Sequence, residues 1–126
     1  MRIFKTRWFA RFARREDIGD DCLADAIARA ERGLIDADLG GGLIKQRVAR
    51  PGRGRSGGYR TLIAYCSGQR AVFLFGFAKS DRDNIGSDHA SELKAAAHDV
   101  PALSPSEIAT RLAAQALVEV PYAEED

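Results

Sequence analysis

"LIKQRVARPGRGRSGGYRTLIAYCSGQRAVFLFGFA", residues 43–78, carries three strand signatures and the turns between them. In "LIKQRVA" (43–49) Ile44 and Val48 fall on one side of a pleat, and Lys45 and Arg47 on the other. "YRTLIAYC" (59–66) is rich in β-branched and aromatic residues. "RAVFLFGFA" (70–78) is nearly continuous hydrophobe, as a strand covered on both faces would be. "SGQ" between these two predicts a hairpin turn. "RPGRGRSGG" (50–58) is expected to hold no regular structure and to cross as a flexible loop. The result is a three-stranded antiparallel meander. Phe73, Phe75 and Phe77 form an alternating stripe of the kind found on a base-stacking platform, but their place in the most hydrophobic strand assigns them to the core.

Helices flank the meander. "RIF" at the start suits a short strand, and "TRWFARFARRE" sets Trp8, Phe9 and Phe12 among arginines, an amphipathic helix with Thr6 as N-cap. After "DIGDD", Asp20 or Asp21 is expected to cap a second helix through "CLADAIARAERG". There Leu23, Ile27 and Ala30 share a face and Gly33 supplies the stop. "DADLGGG" reads as a turn-rich link. "SDRDNIGS" is a polar turn and "DHASELKAAAH" a short helix. "SPSEIATRLAAQAL" starts with Ser104 as cap, Pro105 in the first turn and Glu107 closing a capping box. "VEVPYAEED" adds a brief strand and an acidic, frayed end. The expectation is one α+β domain over residues 1–126, with the helices on one face of a small antiparallel sheet and two of them N-terminal.

Charge is unevenly spread. The chain totals 19 Lys and Arg against 18 Asp and Glu, yet the stretch from Lys45 to Arg60 holds six positive charges and no negative one. Residues 1–80 carry 16 basic against 8 acidic residues, and residues 81–126 carry 3 against 10. A basic body with an acidic end suggests a face for a polyanion. Lys45, Arg47 and Arg60 are expected on the strand pair, Arg50, Arg53 and Arg55 along the loop, and Lys79 and Arg82 after the third strand. Arginine offers phosphate a planar fork and lysine a compact point charge. Any one of these residues would otherwise be a solvated charge that discourages edge-to-edge aggregation. Six together without a counter-charge favour an anionic partner.

Familiar catalytic sets are sparse. His89 and His98 are the only histidines; either could serve as acid or base, though each also suits an exposed helix position. Metal-ligand spacing is absent, and "GRGRSGG" lacks the Lys-Ser/Thr ending and following helix of a phosphate loop. Cys22 and Cys66 fit reduced thiols better than a bridge. The start is too charged for a secretory signal, and no stretch approaches the ~20 apolar residues of a bilayer span. A soluble, cytoplasmic protein without a membrane partner is expected.

Two longer motifs, "DADLGGGLIKQRVARPGRGRSGGYRTLIAY" and "RAVFLFGFAKSDRDNI", with the ending "LSPSEIATRLAAQALVEV", closely resemble the RelE/HigB-like toxins of bacterial type II toxin–antitoxin systems. The likeness spans roughly residues 4 to 120 and centres on Gly-Gly-Tyr-Arg and Gly-Phe-Ala-Lys elements. It implies a RelE-like fold and a ribosome-dependent messenger-RNA endoribonuclease. Such a toxin cuts the codon exposed in the 30S A site by 2′-hydroxyl attack on the adjacent phosphate, with no metal or other cofactor. It also implies a cognate antitoxin carrying a helix-turn-helix. On these residues the resemblance assigns phosphate stabilisation to Arg60 and Arg82, and proton transfer or positioning to Lys45 and Lys79. Arg47 joins the cluster, and Arg50, Arg53 and Arg55 contact RNA. His89, or the more distant Tyr122, stands loosely where relatives place a late histidine or tyrosine. Two other outcomes stay open on the same scaffold: a ParE-like toxin that blocks gyrase through protein contacts, and an inactive toxin that only binds its antitoxin.

Overall fold

The computed structural model describes residues 1–50, 54–78 and 87–122. The elements run β1 (Arg2–Thr6), α1 (Arg7–Arg15), α2 (Asp20–Glu31), β2 (Ala37–Gly40), β3 (Leu43–Arg50), β4 (Gly54–Cys66), β5 (Arg70–Ala78), α3 (Ser87–Asp99), α4 (Pro105–Ala113) and β6 (Leu117–Val120). The fold class is α+β, as the sequence implies, but the sheet is larger than a meander. Its order is β2-β3-β4-β5-β1-β6. β3, β4 and β5 are antiparallel neighbours, whereas β1 lies parallel to β5, with Arg2 opposite Arg70 and Lys5 opposite Phe73. The expected small antiparallel sheet is therefore a six-stranded mixed one. β1 and β6 extend it on one side, and β2, formed by part of the expected link, extends it on the other.

The helices cover two faces rather than one. Phe9, Phe12, Leu23, Ile27 and Ala30 of α1 and α2 pack with Ile44, Val48, Tyr59, Ile63 and Phe73. Leu93, Ala97 and Ile108 of α3 and α4 pack with Phe4, Leu43, Leu62, Phe75 and Phe77 on the opposite side. The strands β1, β3, β4, β5 and β6 thus feed side chains into two cores, which explains the unbroken hydrophobe of β5.

Alternation in β5 is interrupted once. Leu62 lies opposite Phe75 and Ile63 opposite Phe73, so Leu74 is an extra residue, a β-bulge. The aromatic stripe is split as a result: Phe73 enters the first core, while Phe75 and Phe77 enter the second. Beyond the bulge, Gly76 faces α1. A Cβ there would sit 2.6 Å from Phe12 Cε2 and 3.1 Å from Phe9 Cε2, so only glycine lets the helix lie this close.

Local chemistry sets the helix ends. Thr6 Oγ1 accepts from the Phe9 N–H at 3.1 Å, and Ser104 with Glu107 forms the full capping box. α2 departs from expectation. Gly19 is its N-cap without a side-chain bond; Asp20 lies in the first turn, where the helix dipole favours a carboxylate, and accepts from Lys5 Nζ at 2.8 Å. Gly33 stops the helix at φ 84°. Trp8, grouped with the core aromatics by spacing, is 43% exposed and stacks on Phe75 with centroids 4.5 Å apart.

Candidate nucleic-acid interface

Register decides which cations meet. In β3, Ile44, Gln46 and Val48 point to α2, and Leu43, Lys45 and Arg47 to the other side. β4 pairs with it so that Lys45 lies opposite Leu62, and Arg47 directly opposite Arg60. Directly paired residues of an antiparallel ladder hold their Cβ atoms about 5 Å apart, so the two guanidinium stems leave one face side by side, with Lys45 diagonal to Arg60. Phe77 lies opposite Arg60 on β5. The cluster thus has an apolar side as well as a cationic one. Arg47 is exposed, and Lys45 and Arg60 are half-buried.

No acid among the described residues lies within ion-pair reach of these charges. Among the described residues, no ion pair or hydrogen bond engages the side chains of Lys45, Arg47 or Arg60. Arg60 Nη1 is buried and has no hydrogen-bond partner among the described residues. A buried N–H left unsatisfied costs about 1–3 kcal/mol, and the guanidinium beside it adds repulsion. An anion with oxygens in that position relieves both.

The backbone beneath the cluster is tightly fixed by residues the sequence did not single out. The Arg47 N–H donates to Asp36 Oδ2 at 2.7 Å, and Arg29 Nη2 donates to the Arg47 carbonyl. Arg29 is only 5% exposed and also reaches Asp25 Oδ2 at 3.3 Å. Gln46, fully buried, donates from Nε2 to the carbonyls of Ala26 and Leu34 and accepts from the Asp36 N–H at 2.7 Å. Thr61 Oγ1 donates to the Gln46 carbonyl at 2.8 Å. One sequence signal for this network exists: Gln46 is the polar residue between Ile44 and Val48 on the apolar side of β3. Arg29 gives none, since it reads like any other helix-surface arginine.

The remaining expected site residues are only partly placed. Lys79, Arg82 and Arg53 lie outside the described residues, as do the polar turn after Ala78 and the last four residues. For Arg50, Arg55 and His89 the backbone alone is described: Arg50 ends β3, Arg55 stands in β4 and His89 in α3. The glycine-rich stretch expected as a loop is β-strand from Gly54 onward, with Gly54 paired to Arg50 after a register shift. From Gly54 the expected loop is therefore part of the ladder. His98 is exposed on α3 beside Asp99 at 3.4 Å. Tyr122 packs against the α1–α2 core, on the face away from the cations. Among the described residues, no group of three His, Cys, Asp or Glu side chains is arranged to hold a metal, and no helix is long and apolar enough to cross a membrane.

A family model described as the RelE toxin of the RelE/RelB toxin–antitoxin system matches residues 1–120. Neither the search of curated proteins nor that of solved structures found a match.

Proposed function

The chain belongs to the RelE toxin family, a membership that implies an antitoxin partner, and from that premise we propose that it is a ribosome-dependent messenger-RNA endoribonuclease. The observation that carries the reading is the facing pair Arg47 and Arg60, uncompensated among the described residues and joined by Lys45, with Arg60 Nη1 buried and unpartnered. In the reaction the ribose 2′-hydroxyl loses its proton and attacks the adjacent phosphorus. The P–O5′ bond breaks, leaving a 2′,3′-cyclic phosphate, and the departing 5′-oxygen takes up a proton. Negative charge on the equatorial oxygens peaks in between. Donors fixed beforehand at that position lower the barrier without reorganising. Arg60 is the donor best set for this role, and Arg47 shares the charge. Lys45 positions the strand, with Lys79 and Arg82 completing the cationic set. Arg50, Arg53 and Arg55 follow the RNA backbone along the β3–β4 hairpin. His89 is the candidate acid or base. This reading carries with it a single domain over 1–126, a cytoplasmic site of action in the 30S A site, and a helix-turn-helix antitoxin.

The test is Arg60→Ala, induced beside wild type. Wild type arrests growth and leaves transcripts cut inside translated codons on primer extension. The variant, folded by circular dichroism, loses roughly 100-fold or more of that cleavage. Undiminished arrest by folded Arg60→Ala overturns the site. Intact transcripts with DNA-damage signalling would assign the chain to gyrase inhibition instead.

A further inference from the structure

One aromatic side chain stands outside both cores. Trp8, in the first turn of α1, is 43% exposed, whereas its ring neighbours Phe75 and Phe12 are buried. The indole stacks on both, with its centroid 4.5 Å from Phe75 and 5.5 Å from Phe12 and its plane inclined by 25° and 15°. Two stacked neighbours hold that plane in one orientation. The same rings lead to the cationic face. Phe75 lies 6.2 Å from Phe77, and Phe77 stands opposite Arg60 on the ladder. Two short ring-to-ring steps thus separate the exposed indole from the neighbour of Arg60. Cations flank it on the helix as well. Arg11 and Arg15 follow Trp8 at i+3 and i+7, on the same side of α1, and both are exposed. Arg15 Cζ is 5.7 Å from the Phe12 ring centroid, and its Nε meets Glu16 at 3.3 Å. Among the described residues Arg11 has no ion-pair or hydrogen-bond partner.

We propose that Trp8 is a stacking seat for a nucleobase of the RNA, a base flanking the phosphate held at Arg47 and Arg60. The inference rests on reading that face as an RNA site; cleavage is not assumed. A fixed, exposed ring between cations is the arrangement that holds single strands: the ring takes a base and the arginines take phosphates. Every base has a π-face, so the seat tolerates sequence. It favours purines, whose larger rings overlap the indole more. A mere cover for Phe75 would need only an aliphatic side chain and would gain nothing from the arginines beside it. An acidic peptide would match the charges but leave the flat ring unused.

Trp8 is the chain's single tryptophan, so its fluorescence reports on the seat alone. The full chain is titrated at low salt, where phosphate contacts are strongest, with a single-stranded RNA whose riboses are 2′-O-methylated and which therefore cannot be cut. The same strand without bases is titrated beside it, and anisotropy of dye-labelled copies reads binding. The intact strand should quench Trp8 and bind about tenfold tighter than the abasic one. Trp8→Leu, with its urea midpoint unchanged, should lose that advantage and hold the abasic strand within about twofold of wild type, and Trp8→Phe should recover most of the loss. RNA that binds without changing the emission overturns the proposal, as do equal affinities for the intact and abasic strands. Poly-glutamate that alters the emission as RNA does would assign the indole to an acidic protein and overturn it too. The wild-type comparisons need no variant and decide the matter if Trp8→Leu misfolds. Failure here is separable from failure of the nuclease reading. RNA binding that Arg60→Ala weakens, with Trp8 silent, sinks the stacking seat alone; quenching beside uncut transcripts sinks cleavage alone. An RNA that does not bind at all overturns the seat, while primer extension still decides cleavage.

Discussion

Arg60 is a residue whose present chemistry works against its own fold. It faces a like charge across the ladder and buries a donor that no described residue accepts. Arg60→Met keeps the stem on Phe77 and removes both penalties, so urea unfolding should show a gain of about 0.5–2 kcal/mol while cleavage is lost. Sulfate, matched in ionic strength by sodium chloride, should raise the melting temperature of wild type and leave Arg60→Met unmoved. Equal shifts in both proteins would mean that no anion seat exists at Arg60. How far this site was legible follows from what one strand can report about itself. A period of two is local, so Lys45 and Arg47 could be set on one side of β3 from the sequence alone. That Arg60 stands opposite Arg47 depends on register between strands. The clamp of Asp36 and Arg29 on the Arg47 backbone joins residues from a helix, a link and a strand, and leaves no local pattern.

At the scale of elements, the bulge in β5 and the glycine that follows it act as one device. The extra residue at Leu74 turns Phe75 and Phe77 to the second core, and the alternation then presents Gly76 to α1. Gly76→Ala would thrust a methyl against Phe12 and Phe9 and should cost about 1–3 kcal/mol, read from the urea midpoint at unchanged slope. A neutral result would show that α1 can lift off β5 without loss. Continuous hydrophobicity made β5 easy to read as a strand but hid the bulge, because every residue on either side of it is apolar. The converse held for β2. Its "ADLG" is short and has no β-branched or aromatic residue, and it takes strand form through pairing with β3. Capping chemistry was the most legible feature: Thr6, and Ser104 with Glu107, act within four residues and require no partner element.

For the whole molecule, carboxylates tie distant parts of the chain together. Glu31, at the end of α2, accepts from Tyr65 Oη, from Ser67 Oγ at 3.0 Å and from the Gly68 N–H at 3.0 Å. Burial pushes its pKa up, but these bonds and the nearby N-terminal charge outweigh that and leave it below the ordinary value. Glu119, bonded to Arg2 across β1 and β6, is also lowered, chiefly by that hydrogen bond. Carboxyls with depressed folded pKa stabilise above their unfolded value near 4.3 and lose that contribution as pH falls through the folded one. The urea midpoint should therefore decline below about pH 4.5, and Glu31→Gln should flatten the decline. Burial, then the bond to Glu31, raises the Tyr65 pKa to about 12, so its share of stability persists below about pH 10 and fades as pH climbs through 12. An acid limb identical in wild type and Glu31→Gln would remove Glu31 from this account. The parallel seat of β1 was the global feature least visible beforehand, since its neighbours come from residues 70–73 and 117–120. That seat orders events during synthesis. β1 has no lateral partner until residues 70–73 are in place, and its second arrives only with residues 117–120. A chain that has not yet made residues 117–120 thus lacks a finished sheet.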